Sequence, residues 1–173
     1  ESGQVEISVS EVNINKQLNY FYSVFKPEAG KKGIELIYKN DFSEQDIIIQ
    51  TDLEKFNSIL MNLIKNAIKY TRKGFIELGC RIKKDKEFDE LEFYVKDTGI
   101  GIPMNRQAAV FERFIQADIE DKNATEGSGL GLAISKAYAE MLGGDIRLES
   151  EEGIGSTFYF KLNSAISMNT SQA

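Results

Sequence analysis

Three stretches of this chain hold the side chains that could do chemistry. In "ATEGSGLGLAIS", residues 124–135, glycines alternate at Gly127, Gly129 and Gly131. Glycine-rich turns at the mouth of a helix bring backbone N–H groups close to an anion, most often phosphate. In "DTGIGIP", residues 97–103, Asp97 closes a strand just ahead of Gly99 and Gly101. A carboxylate placed there can accept a hydrogen bond from an exocyclic amine such as that of adenine, or it can serve only as a turn former. In "NLIKNAIKYT", residues 62–71, Asn62, Asn66 and Lys69 recur at i, i+4 and i+7, which makes one polar stripe on a helix. Such a stripe suits a metal-bound polyphosphate, with Asn66 offering a carbonyl oxygen to Mg²⁺ and Lys69 a point charge to phosphate. The competing reading is a solvated helix face, ordinary for lysine but less so for paired asparagines, which form helices poorly.

The familiar phosphate-binding patterns fail in turn. A dinucleotide fingerprint needs G-x-G-x-x-G directly after a strand, whereas this spacing is G-x-G-x-G after the polar run "EDKNATE". A P-loop needs a lysine after its glycines, and none follows here. The H-R-D loop of eukaryotic-type protein kinases requires histidine, and the chain has none. The same absence excludes a serine–histidine triad, a histidine metal site and a histidine general base within the chain. A single cysteine, Cys80, excludes an internal disulfide framework and reads as a buried strand residue.

The elements that must position these groups follow from periodicity. "QVEISVSEVN" alternates at Val5, Ile7 and Val9 and predicts a first strand. From Asn13, a suitable N-cap, Leu18, Phe21, Phe25 and Ala29 mark the buried face of a helix, with a kink expected at Pro27. "GIELIYKN" and "DIIIQ" read as strands. Thr51-Asp52-Leu53-Glu54 fits a capping box that opens a long helix with Phe56, Ile59, Leu60, Leu63, Ala67 and Ile68 inside, ending near Thr71. "GFIELGCRIKK" and "ELEFYVKDTG" are two strands joined by a charged turn. Residues 103–127 show no long pattern beyond an apolar patch at Val110–Ile115, and "ADIEDKNATE" reads as a mobile loop. A helix over about Leu130–Leu142 precedes the strands "GGDIRLES" and "GSTFYFKL", and the tail over 164–173 is expected to fray. Residues 1–4 read as a scar or linker and 5–163 as one domain.

Strands and helices mix without regular alternation, so the fold class is α+β, a mixed sheet with helices on one face. The totals agree: 173 residues, 42% hydrophobic and 28% charged, describe an ordinary globular domain. A net charge of −6 argues against a nucleic-acid partner. No apolar run is long enough to span a bilayer.

In order, the chain carries "NLIKNAIKYT", "DTGIGIP", "FERF", "GSGLGLAIS" and "GIGSTFYF". These resemble the N, G1, F, G2 and G3 boxes of the catalytic ATP-binding domain of sensor histidine kinases, and the resemblance spans roughly residues 5–163. It implies the GHKL superfamily and its Bergerat-type fold, a two-layer α/β sandwich whose flexible lid closes over ATP. It implies ATP and Mg²⁺ as ligands, with Asn66 on the metal and Asn62 as a supporting polar contact one turn earlier. Lys69 would contact phosphate, Tyr70 would lie along the nucleotide, and Arg113 would neutralise charge near the terminal phosphate. Asp97 would bind the adenine amino group, with Gly99, Gly101 and Ile102 shaping the base pocket and Thr157 standing beside Asp97. Gly127, Ser128, Gly129, Leu130 and Gly131 would form the phosphate loop, and Leu132 would line the pocket.

ATPase relatives carry a water-activating glutamate where this chain has Asn62, which favours phosphotransfer over hydrolysis. The segment before the phosphate loop is usually basic in the family. Here it holds Asp118, Glu120, Asp121 and Glu126 against Lys122, which predicts a weak grip on the terminal phosphate and leaves a degenerate or non-catalytic nucleotide-binding or docking module as the alternative, beside an ATPase or serine kinase of the same superfamily. Because the chain lacks histidine, the resemblance implies a fragment of a longer kinase that lacks its phosphoacceptor. The implied partners are its own dimerisation domain and a response regulator receiver. The fragment is expected to be monomeric, the parent homodimeric, and the catalytic module cytoplasmic.

Overall fold

The computed structural model describes residues 6–40, 45–83, 89–112, 131–164 and 167–170. In chain order these form β1 (Ser10–Asn13), α1 (Ile14–Lys31), β2 (Ile34–Asn40), β3 (Gln45–Thr51), α2 (Leu53–Tyr70), β4 (Gly74–Lys83) and β5 (Asp89–Asp97). Two 3₁₀ turns, Met104–Arg106 and Ala109–Phe111, precede α3 (Gly131–Met141), β6 (Asp145–Glu151), β7 (Gly155–Ser164) and β8 (Ser167–Thr170).

Five strands make a mixed sheet in the order β2-β4-β5-β7-β6. Only β2 and β4 run parallel; the other neighbours are antiparallel. The helices cover one face, as the apolar patterning requires. Phe56 of α2 meets Phe93 of β5 edge-on at 5.1 Å between ring centroids, and Phe160 of β7 at 6.1 Å. Around these rings close Ile59, Leu60, Leu63 and Ile64 of α2, all without solvent exposure. Burying one such side chain contributes roughly 1.5–3 kcal/mol, so this face of α2 anchors the helix to the sheet. The opposite face of the sheet is held by charge and aromatic stacking. There Glu92, 3% exposed, lies between Arg147 at 3.4 Å and Arg81 at 3.8 Å. Arg81 stacks on Tyr94 and Arg147 on Tyr159.

The α+β class and the one-sided helix layer agree with the sequence reading, and Cys80 is buried in β4 as expected. Several local details differ. Ile7 and Val9 alternate but are 45% and 59% exposed, and β1 begins only at Ser10, where Val12 turns inward. Asn13 does cap α1, its Oδ1 accepting from the Lys16 N–H, and the helix continues through Pro27. The cap of α2 is Asp52 rather than Thr51: Asp52 Oδ1 accepts from the Lys55 N–H at 3.1 Å. Both residue types cap well, and the buried salt bridge of Asp52 to Lys55 decides between them. The C-terminal segment, expected to fray, instead supplies β8, which pairs antiparallel with β3 in a small second sheet of order β1-β3-β8.

Candidate functional site

A cavity of about 330 Å³ opens between the C-terminal half of α2, the start of α3 and the β5–β7 end of the sheet. Asn66, Tyr70, Asp97, Ile100, Gly101 and Ile102 line it, with Arg106, Val110, Leu132, Ser156 and Phe158 among the rest. The three chemical stretches of the sequence thus meet here.

Asp97 ends β5 and is 7% exposed. Its Oδ1 accepts two backbone N–H bonds, from Gly99 at 2.9 Å and from Ser156 at 3.2 Å. Its Oδ2 has no hydrogen-bond partner among the described residues. Burial, partly offset by those two bonds, raises the carboxyl above its usual range. An acceptor without a protein partner, on a residue that lines an apolar cavity, suits a donor from a ligand.

The backbone around Asp97 explains the glycines. Gly101 has φ of 71°, and a Cβ there would collide with the Glu151 carbonyl oxygen. A Cβ at Gly99 would meet the Tyr70 carbonyl oxygen and Asp97 Oδ1. Only Gly101 reaches the cavity; Gly99 lets the loop close against the end of α2, where the Ile100 N–H donates to Tyr70 O at 3.2 Å.

Asn66 also lines the cavity, and its side chain has no partner among the described residues. Asn62, one turn earlier, is engaged differently. Its Nδ2 donates to the Gly131 carbonyl at 2.6 Å and to Ser135 Oγ at 2.9 Å, tying α2 to the first turn of α3. Asn62 is therefore a helix clamp before it is a ligand contact. Lys69 does not line the cavity; its ammonium sits 5.2 Å from the Tyr70 ring centroid. Gly131 opens α3, and Leu132 lines the cavity, 5% exposed. The five positions Arg113, Gly127, Ser128, Gly129 and Leu130 lie outside the described residues, as does the acidic run before them.

The expected place of Thr157 beside Asp97 is taken by Ser156. In the β5–β7 register Ser156 stands opposite Asp97 and Thr157 opposite Lys96. Thr157 lines a second, more open hollow with Phe75, Lys96 and Glu149, which Asp97 and Ser156 also border, and it does not line the first. The sequence carried a signal for this: Phe158, Phe160 and Leu162 alternate inward, and a period of two puts Ser156 with them.

The donor set also bears on metal binding. Among the described residues no three His, Cys, Asp or Glu side chains gather to hold an ion. One neutral amide oxygen at Asn66 is a poor cage alone, but it fits Mg²⁺ that arrives on a polyphosphate and keeps phosphate and water oxygens as its main ligands.

With this geometry in place, comparison with known proteins defines the class. A model of the histidine kinase-, DNA gyrase B-, and HSP90-like ATPases matches residues 51–166, and the chain belongs to that family. Histidine protein kinase 1 of Candida albicans is 47% identical over 128 residues, covering 73% of this chain and 5% of that protein. The autoinducer 2 sensor kinase/phosphatase LuxQ of Vibrio vulnificus is 37% identical over 164 residues, covering 94% of this chain and 19% of that protein. The chain thus spans a small part of these relatives' length.

Among solved structures, full-length ShkA in complex with AMPPNP superposes with a TM-score of 0.82 at 30% identity, over 98% of this chain and 34% of that one. The nucleotide-free catalytic domain of histidine kinase ThkA superposes with a TM-score of 0.74 at 26% identity, over 91% of this chain and 99% of that one.

Proposed function

We propose that this chain is the ATP-binding catalytic domain of a sensor histidine kinase. In this reading it binds ATP–Mg²⁺ and delivers the γ-phosphate to a histidine on a separate dimerisation domain, for onward passage to a response regulator. The observation that carries the reading is the pair of unpartnered polar groups that line one apolar cavity, Asp97 Oδ2 and the Asn66 side chain. An adenine amino group satisfies the first, and a phosphate-borne metal satisfies the second. Ile102, Val110, Leu132 and Phe158 enclose the flat apolar base between them. Family membership and the AMPPNP-bound relative support the same assignment.

The chain's own residues act by positioning. Asp97 would set the base, Tyr70 and Lys69 would flank the route toward phosphate, and Asn66 would hold the metal. Bound Mg²⁺ would supply charge neutralisation on the phosphates. Phosphoryl transfer relies mainly on such orientation and charge compensation, so little covalent chemistry is asked of the domain. The acceptor comes from elsewhere because the chain contains no histidine. The remaining parts of the proposal are a catalytic module that works in the cytoplasm, is monomeric alone, and belongs to a homodimeric parent.

Calorimetric titration tests the reading. The wild-type chain is expected to bind ATP–Mg²⁺, whereas Asn66→Ala loses tenfold or more of that affinity, about 1.4 kcal/mol, while adenosine binding stays within about twofold. A wild-type chain that binds neither ligand sinks the proposal.

A further inference from the structure

The base-end wall of the cavity, Ile100 to Pro103, has no regular secondary structure. No strand ladder or helix holds it, so its backbone groups must find other partners. The Ile100 carbonyl accepts from the Gly153 N–H at 2.7 Å, which fastens the wall to the β6–β7 turn. At Ile102, which lines the cavity, both backbone groups bond to side chains. The Ile102 N–H donates to Ser150 Oγ at 2.7 Å, and its carbonyl accepts from Gln107 Nε2 at 3.0 Å. The same Gln107 nitrogen donates to the Ser150 carbonyl at 3.0 Å. Two carbonyl acceptors demand two N–H groups, which only the amide nitrogen of Gln107 can supply, so the orientation of this side chain is chemically fixed.

Ser150 extends the connection. Its hydroxyl lies 2.8 Å from Ser156 Oγ and 3.0 Å from the Gly155 carbonyl, and the Ser156 N–H in turn bonds Asp97. One continuous chain of bonds therefore runs from Gln107 through Ile102, Ser150 and Ser156 to the carboxylate. Gln107 does not line the cavity.

We propose that Gln107 is a positioning residue of the nucleotide pocket, clamping the Ile102 wall to β6 so that wall and Asp97 hold one spacing. This rests on the reading that the cavity takes an adenine nucleotide. Because the clamp acts at the base end, its loss weakens adenosine, ADP and ATP–Mg²⁺ by one common factor. A defect at the phosphate end would spare adenosine.

The test is calorimetric titration of the three ligands against wild type, Gln107→Glu and Gln107→Lys, with melting temperatures recorded alongside. Gln107→Glu keeps the shape but turns oxygens toward two carbonyls, and is expected to weaken all three ligands about tenfold. Gln107→Lys keeps donors at similar reach, and is expected to stay within about threefold of wild type. Should Gln107→Glu fail to fold, Ser150→Ala removes the hydroxyl link alone and is expected to give a smaller loss, again equal across the three ligands. The clamp is overturned if Gln107→Glu binds adenosine like wild type, if it loses ATP but not adenosine, or if Gln107→Lys is as weak as Gln107→Glu. A wild-type chain that binds none of the three overturns the nucleotide reading itself, which separates the two failures.

Discussion

Asp52 and Asp97 are both buried, at 3% and 7% exposure, yet their surroundings push them in opposite directions. At Asp52 burial alone would raise the carboxyl, but four bonding contributions overturn it. The Ser8 N–H and Lys55 Nζ reach Oδ2, the Lys55 N–H reaches Oδ1, and the Lys55 charge adds to them, holding the group at about 2. Lys55 donates also to the Glu6 carbonyl at 2.9 Å and lies over the Tyr138 ring of α3. At Asp97 burial prevails over two backbone bonds on one oxygen, and the group is raised. A carboxylate with both oxygens engaged and a cation beside it is part of the frame. One with an oxygen left without a protein partner and its carboxyl raised by burial is, in the proposed function, the group that takes the base.

The largest effect expected from breaking this contrast is on stability. Asp52→Asn keeps the capping oxygen but strips the charge from a buried pair, leaving the Lys55 ammonium uncompensated. A loss of about 3 kcal/mol is expected in urea unfolding. ATP–Mg²⁺ affinity of the folded fraction should stay within about twofold, since Asp52 lies roughly 20 Å along α2 from Asn66. A large affinity loss would show that the two ends of α2 are coupled.

Next comes Asp97→Asn, which should do the reverse. The two N–H groups of Gly99 and Ser156 force the new amide to turn its oxygen toward them, so its NH₂ faces the cavity and opposes an adenine amine. Adenosine and ATP affinities should fall about thirtyfold, or roughly 2 kcal/mol, with unfolding stability equal to wild type or higher. Unchanged adenosine binding would remove Asp97 from base recognition.

A smaller, directional effect distinguishes the pair in acid. The folded value of Asp52 is depressed, so its contribution is present above the unfolded value near pH 4 and is lost as pH falls toward 2. Asp97 is raised, so its ionisation opposes folding, and stability declines as pH rises from the unfolded value through the folded one. Subtracting each Asn variant from wild type in unfolding experiments between pH 2 and 7 should therefore give curves of opposite slope. Parallel curves would mean the two environments are not different in kind.

How far the sequence could reveal all this depended on the range of the interactions. The apolar face of α2 was readable because Phe56, Ile59, Leu60 and Leu63 repeat at helical spacing and burial follows that period. Asp97 and Gly101 were readable because a carboxylate and a left-handed glycine sit within five residues. Clamps between distant residues were not: Ile102 and Ser150 are 48 residues apart, and nothing local to either names the other. The Asp52–Lys55 pair was hidden because its burial comes from Glu6 and Tyr138, in segments far along the chain. β8 was missed because Ser167–Thr170, which pairs with β3, carries no alternating apolar pattern.

The mildest effect tests the correction at β7, where a readable signal was passed over. Ser156 and Thr157 are adjacent and chemically alike, but a strand sends neighbours to opposite faces. Ser156 is 7% exposed, lines the cavity and shares a hydroxyl contact with Ser150; Thr157 is paired with exposed Lys96 on the other face. Ser156→Ala removes one neutral hydrogen bond from the base end while keeping the backbone bond to Asp97, so adenosine affinity should fall only about threefold to fivefold. Thr157→Val keeps the β-branched shape that suits the strand and should leave affinity within about twofold of wild type. If Thr157→Val proved the more damaging of the two, the register would be wrong by one residue. Ser156 would then leave the cavity face, and the path from Gln107 to Asp97 would be broken at its last link.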